Sequence, residues 1–209
     1  MDFFYGERVA VVGAFPRVVG SIAFAIARRA VARDPAAHVL LISRRREAPP
    51  LPVLEARAAV PAALGGHGDG ADLERIALKY AETCADVAWL LNNLHNADPS
   101  FTLLVIDDVA EFVATGAPSL DADAPLARLC VLAKLAANAA DWLGGSCVLA
   151  SADGSPRVRT AIRRYFPRIR VVEDAADADE WTHTVRDHGE TAPGALLRDC
   201  GTLFRIRPS

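Results

Sequence analysis

A chain of 209 residues with 52% apolar content can bury one sizeable core, and its length points to a single domain over residues 1–209. The formal charge of −3 supplies no global attraction to nucleic acid or to an anionic membrane, so such binding must come from local patches. Four widely spaced cysteines, Cys84, Cys130, Cys147 and Cys200, form no C-x-x-C pair and no zinc spacing with histidine, and so indicate neither a disulfide framework nor a metal centre.

These features fit a reducing intracellular compartment. The first residues lack the basic-then-apolar order of a signal peptide, and no apolar run is long enough to span a bilayer, so a soluble protein is expected.

Along the chain, Arg8 to Gly13 reads as a short buried strand ending in glycine. A connection over 14–19 leads to an alanine-rich helix from Gly20 to Ala32, whose small residues allow close packing on a sheet. His38 to Ser43 is a second buried strand, followed by Arg44, Arg45 and Arg46, a Pro/Ala-rich surface segment through Pro61, and a glycine turn from Gly65 to Gly70.

The stretch Leu73 to Asn96 is ambiguous. It reads as one helix with Leu73, Ile76, Tyr80, Cys84, Val87, Leu91 and Leu94 on a stripe, or as a strand through Ile76, Leu78 and Tyr80 followed by a helix capped by Thr83. Phe101 to Ile106 is a continuous apolar run that enters Asp107, as a central parallel strand covered on both faces does. A helix from Leu126 to Leu143 stops at Gly144 and Gly145, and Ser146 to Ser151 is another buried strand with a polar tip. The segment from Arg157 to Arg170 carries six arginines and no acid. Short strands at Val171–Val172, 181–185 and 202–206 close the chain. Alternating strands and helices predict an α/β fold with a mostly parallel central sheet flanked by helices and C-terminal β additions, the core at about 8–172 and a β hairpin region at about 173–209.

Asp107 at a strand's C-terminal tip follows the Walker B pattern, in which the carboxylate holds Mg²⁺. A matching phosphate cradle requires G-x-x-x-x-G-K-[ST], with glycines for backbone approach, lysine for the β and γ phosphates and a hydroxyl for the metal. Gly13 fills the first position, but Val18 stands at the second glycine, Val19 at the lysine and Gly20 at the hydroxyl. β-Branched Val18 resists a left-handed backbone, and Val19 offers triphosphate no charge.

Arg17 or Ser21 would compensate only after a register shift, leaving Gly13, Arg17, Gly20 and Ser21 as a weak nucleotide site for ATP and Mg²⁺. Asp107 then either assists a weakened metal site or only ends its strand. Asp108 and Glu111 read as water-orienting carboxylates or as exposed helix-start acids. His95, His183 and His188 have no triad or ligand spacing and are assigned no role.

The arginine-rich segment is the stronger functional signal. On a helix over 158–165, Arg159 and Arg163 share a face while Ile162 and Phe166 turn inward. That face and Arg164 can follow phosphates, with Tyr165 or Phe166 stacking on a base; alternatively it is a solvated basic face balancing the acidic stretch after it. Arg44, Arg45 and Arg46 end a neighbouring strand, and both basic groups are read as lining one DNA groove.

The degenerate cradle at Gly13, the basic turn at Ser43 to Arg46, Lys79–Tyr80 before a helix, Leu104 to Phe112 around Asp107, and Arg164-Tyr-Phe-Pro167 before the final strands together resemble the SWIM-domain-protein-associated ATPase-like subunit of the Shu complex. That subunit is a small paralogue of the eukaryotic RecA-like recombinases. The resemblance covers about residues 8–185 and implies a RecA-like P-loop NTPase core, a strand at 74–80, and nuclear residence. It also implies binding to a SWIM zinc-finger protein and to single-stranded DNA, and promotion of recombinase filament assembly in homologous recombination. Gly13 corresponds to the cradle glycine and Asp107 to the Walker B aspartate, while Val19 and Gly20 replace the lysine and hydroxyl residues. Two other readings stand beside this one. One is an active, DNA-stimulated ATPase with a non-standard cradle; the other is a structural scaffold docking through Phe3, Phe4 and Tyr5.

Overall fold

The computed structural model describes residues 7–14, 16–44, 71–96, 101–115, 123–174, 183–187, 195–199 and 204–208. The predicted Pro/Ala-rich segment, the glycine turn at 65–70 and the aromatic residues Phe3, Phe4 and Tyr5 lie outside them. The strands are β1 (Arg8–Gly13), β2 (His38–Arg44), β3 (Ile76–Ala81), β4 (Phe101–Ile106), β5 (Ser146–Ser151), β6 (Arg168–Asp174), β7 (His183–Asp187), β8 (Ala195–Asp199) and β9 (Phe204–Pro208). They form a single sheet in the order β3-β2-β4-β5-β1-β6-β7-β8-β9. The first six in that order run parallel, and β7, β8 and β9 continue antiparallel.

The helices are α1 (Pro16–Arg33), α2 (Ala71–Glu74), α3 (Cys84–Asn92), α4 (Val109–Ala114), α5 (Ala124–Leu143) and α6 (Pro156–Arg163). The period-2 alternation of each strand divides its side chains between two apolar layers. Ala10, Val12, Leu40, Ile42, Leu104, Ile106, Cys147 and Leu149 pack with buried residues of α3, α4, α5 and α6. Val11, Val39, Leu41, Leu103, Val105, Val148 and Ala150 face α1. On α1, Val19, Ile22, Ala23, Ile26 and Ala27 recur at helical spacing and form the buried stripe.

Helix ends follow local chemistry. Thr83 caps α3 through a reciprocal box in which its hydroxyl accepts from Asp86 N–H at 3.2 Å and its own N–H donates to Asp86 Oδ2 at 2.9 Å. Hydrogen bonds from the Thr83 side chain, and then from backbone N–H groups, hold the Asp86 carboxyl below its ordinary range. The box starts a helix at Cys84, and pairing with β2 makes the preceding residues a strand, which resolves the ambiguity at 73–96 in favour of strand then helix. Gly144 ends α5 at φ 62°, a left-handed cap suited to glycine. Arg75 reaches from the start of β3 to the end of α1, its guanidinium donating to the Val31 carbonyl at 2.7 Å and the Asp34 carbonyl at 2.8 Å. Among the described residues no helix is long and apolar enough to cross a membrane.

Candidate functional site

The connections out of β1 and β5 leave on opposite faces of the sheet, because α1 packs with one apolar layer and α6 with the other. Since β1 and β5 are adjacent, this is the strand-order switch point, beside which open α/β sheets bind ligands. The tips of β2, β4, β5 and β1 therefore bring Ser43, Asp107, Ser151 and Gly13 to one edge.

The register explains which of these meet. Ile42 pairs with Ile106, so Ser43 and Asp107 are neighbours one residue further on, and alternation aims both toward α1. The Asp107 N–H continues the ladder to the Ile42 carbonyl at 2.9 Å. The Ser43 hydroxyl donates to Asp107 Oδ2 at 3.0 Å, with Ser43 4% and Asp107 3% exposed. Asp107 thus occupies the C-terminal tip of a central strand, as its sequence position implies.

The cradle differs from expectation. Helix α1 begins at Pro16, not Gly20, inside the eight-residue span from Gly13 to Gly20 that would have to wrap a phosphate. Proline at the first helical position is pre-set in φ and loses no needed donor, so the helix starts early. From Gly20 onward an α-helix commits its amides to carbonyls four residues back. Val19 is fully buried in the layer beneath α1, and Gly20 is packed against the carboxylate. A Cβ on Gly20 would come 2.9 Å from Asp107 Oδ1. Gly13 serves packing as well: a Cβ there would lie 2.8 Å from the backbone oxygen of Val172 on β6. The side chains of Arg17 and Ser21 lie outside the described set.

A Mg²⁺–triphosphate needs a loop of free amides, a cation and a hydroxyl beside the carboxylate. Here the helix takes up the loop, valine is turned into the core, and position 20 has no side chain. The described residues at this edge do not fit that group. Among the described residues, no cluster of three or more His, Cys, Asp or Glu is arranged to hold a metal ion.

Asp108 is buried at 4% exposure, which corrects the reading of it as an exposed helix-start acid. Its carboxylate Oδ1 accepts the Ala152 N–H at 2.9 Å, across to the loop after β5. It is also the one non-glycine residue at positive φ among the described residues, with φ 47° and ψ 66°. Glu111 is half-buried and receives Arg44 Nη1 at 3.0 Å, so Arg44 stands in an ion pair on α4. Arg45 and Arg46 lie outside the described residues.

The arginine helix forms much as the spacing predicts. Ile162 and Phe166 are fully buried, Arg159 is half-buried, and Arg163 and Arg164 are exposed, with the Arg164 guanidinium 5.9 Å from the Tyr165 ring centre. Arg157 pairs with Asp123 at 2.5 Å and Arg168 with Glu7 at 2.7 Å. Because α6 runs back from the carboxyl edge, Arg163 and Arg164 end it at the amino edge, where β6 begins. Arg44 ends β2 at the carboxyl edge, so it does not line one groove with Arg163 and Arg164.

Sequence reasoning passed over Ser43 as a ligand of Asp107 and the loop after Ser151 as a partner of Asp108. The available signal was hydroxyl residues ending β2 and β5 at the same level as the aspartate that follows β4.

No protein-family model and no curated protein matches the chain. Among solved structures, a KaiC-like protein from the hyperthermophilic archaeon Pyrococcus horikoshii resembles it with a TM-score of 0.63 at 12% sequence identity, over 99% of this chain and 92% of that one. The fold is RecA-like. At this identity the likeness speaks for architecture alone.

Proposed function

We propose that this chain is a RecA-like recombinase paralogue that has set triphosphate turnover aside and acts as an assembly subunit of a Shu-like complex in the nucleus. In this reading it pairs with a SWIM zinc-finger protein, contacts single-stranded DNA, and promotes filament formation by a RecA-like recombinase during homologous-recombination repair. The observation that carries the non-hydrolytic half is Val19, fully buried where a cradle would present its lysine. The recombinase half rests on the ordered sequence features around Gly13, Ser43, Asp107 and Tyr165–Pro167, together with the RecA-like fold.

Without turnover, such a subunit works through its surfaces. Arg163 and Arg164 are exposed, whereas the exposed Arg157 and Arg168 are ion-paired with Asp123 and Glu7, and stacking of Arg164 on Tyr165 leaves a planar cation at the surface. Phosphate contacts of this kind release counterions, so retention on DNA falls steeply with salt.

The test is co-expression with a SWIM-domain protein followed by retention on single-stranded DNA across a salt series, with and without ATP. The expected result is a stable complex whose retention falls with salt and ignores ATP. Failure to form the complex, or ATP turnover abolished by Asp107→Ala, overturns the reading.

A further inference from the structure

The loop between β5 and α6 plays no part in the function above, yet it is tied by hydrogen bonds at each of its ends. β5 ends at Ser151 and α6 begins at Pro156, so the four residues from Ala152 to Ser155 make the turn. Ser151 is fully buried, and its hydroxyl donates to the Asp153 carbonyl at 3.2 Å while accepting the Asp153 N–H at 3.2 Å. Asp153 Oδ1 accepts the Ser155 N–H at 2.8 Å, and the Ser155 hydroxyl caps α6 by accepting from Val158 N–H at 3.4 Å.

Two contacts tie this turn to its neighbours. On one side, Asp108 Oδ1 accepts the Ala152 N–H at 2.9 Å. On the other, Gly154 lies so close to β1 that a Cβ on it would be 3.2 Å from Gly13 Cα and 3.3 Å from Gly13 N. The loop therefore sits on Gly13 at the crevice between β1 and β5, the place where a sheet of this kind takes a ligand. Asp108 holds its end of the tie from a left-handed backbone, a conformation an L-residue keeps where surrounding bonds over-determine it.

We propose that Ala152–Ser155 is a built-in plug, latched by Asp108 and seated on Gly13, that occupies the switch-point crevice and fixes the tips of β1, β4 and β5 in one arrangement without a ligand. Asp108 is the catch, because its carboxylate bonds the β4 tip to the loop. Releasing it frees the loop while leaving the strands paired. The plug requires neither DNA nor a partner, so it fails on loop exchange, whereas the assembly reading fails on co-purification.

The test is native-state amide exchange followed by NMR on the full chain, comparing wild type, Asp108→Asn and Asp108→Gly with and without Mg²⁺–ATP. Asparagine keeps an acceptor and tolerates the left-handed backbone, and glycine suits that backbone but lacks the acceptor. In wild type and Asp108→Asn the Ala152 amide is expected to exchange at least about tenfold more slowly than in Asp108→Gly, with β4 and β5 core amides unchanged among all three. ATP is expected to leave wild-type exchange at Gly13 and 152–155 as it was.

Free-peptide exchange of Ala152 in wild type overturns the proposal, as does equal exchange in wild type and Asp108→Gly. So does equal acceleration in Asp108→Asn and Asp108→Gly, or slowing of the wild-type loop by ATP. Should Asp108→Gly fail to fold, the wild-type rate, the Asp108→Asn rate and the ATP response still decide.

Discussion

Asp107 Oδ1 occupies the space that a side chain on residue 20 would need, since a Cβ built on Gly20 lies 2.9 Å from it. A nucleotide cradle needs a hydroxyl at position 20 beside that carboxylate. In this chain glycine and carboxylate are mutually adjusted, with Ser43 fixing Asp107 from the other side at 3.0 Å.

Gly20→Ser, the substitution that restores the motif residue, is therefore expected to destabilise the protein even though serine is the better helix former. In an Asp107→Ala background the same change should become neutral or stabilising. A double-mutant cycle in urea should give a coupling of about 1–2 kcal/mol between the two positions. Simple additivity would show that the carboxylate and residue 20 do not compete for space.

Gly13→Ala is expected to cost about 2 kcal/mol or more, because its Cβ would meet the Val172 backbone oxygen, which a parallel strand cannot withdraw cheaply. Chemical denaturation measures it. The loss should appear with or without nucleotide, since the glycine is needed for strand packing.

Arg163→Ala combined with Arg164→Ala should leave the melting temperature within about 2 °C of wild type, as exposed surface changes do, while lowering retention on single-stranded DNA and reducing the salt slope by about 0.7 for each phosphate no longer neutralised. Arg44→Ala should do the reverse. It removes a half-exposed ion pair with Glu111, costs about 0.5 kcal/mol, and leaves DNA retention unchanged.

Alkaline stability should fall through Cys147. Burial pushes this thiol well above its ordinary value, with nearby Arg8 pulling it down to a smaller degree. The unfolded thiol ionises first, so the unfolded state binds fewer protons above about pH 8.5, and stability drops there with a limiting slope of about 1.4 kcal/mol per pH unit from this group. Below that pH the contribution is complete. Cys147→Ala should flatten the slope in equilibrium unfolding between about pH 8.5 and 10, and the native thiol should resist alkylation.

Much of the architecture was legible because it follows from patterns that bury whole segments. The apolar runs at Arg8–Gly13, Phe101–Ile106 and Ser146–Ser151 are strands over those residues, whereas at 73–96 periodicity left helix and strand both open and the strand rested on the family resemblance. The start of α1 was not legible, because the residue types at Pro16–Val18 suit a loop as well as a helix, and proline's preference for a first helical turn was outweighed by the motif template. Strand β8 at Ala195–Asp199 was missed because its two leucines are adjacent and show no period-2 alternation.

At the site, Asp107 could be placed from sequence alone because a strand dictates where it ends. Its bond from Ser43 and the Asp108 link to Ala152 join residues 64 and 44 positions apart, and only the strand order brings them together.

The central claim, that this edge has given up the Mg²⁺–triphosphate, is tested most directly by calorimetric titration of the purified chain with ATP and Mg²⁺. The expected result is no saturable heat up to about 1 mM nucleotide, in wild type and Asp107→Ala alike. Saturable binding with a Kd in the micromolar range, about −8 kcal/mol, that disappears in Asp107→Ala would contradict it.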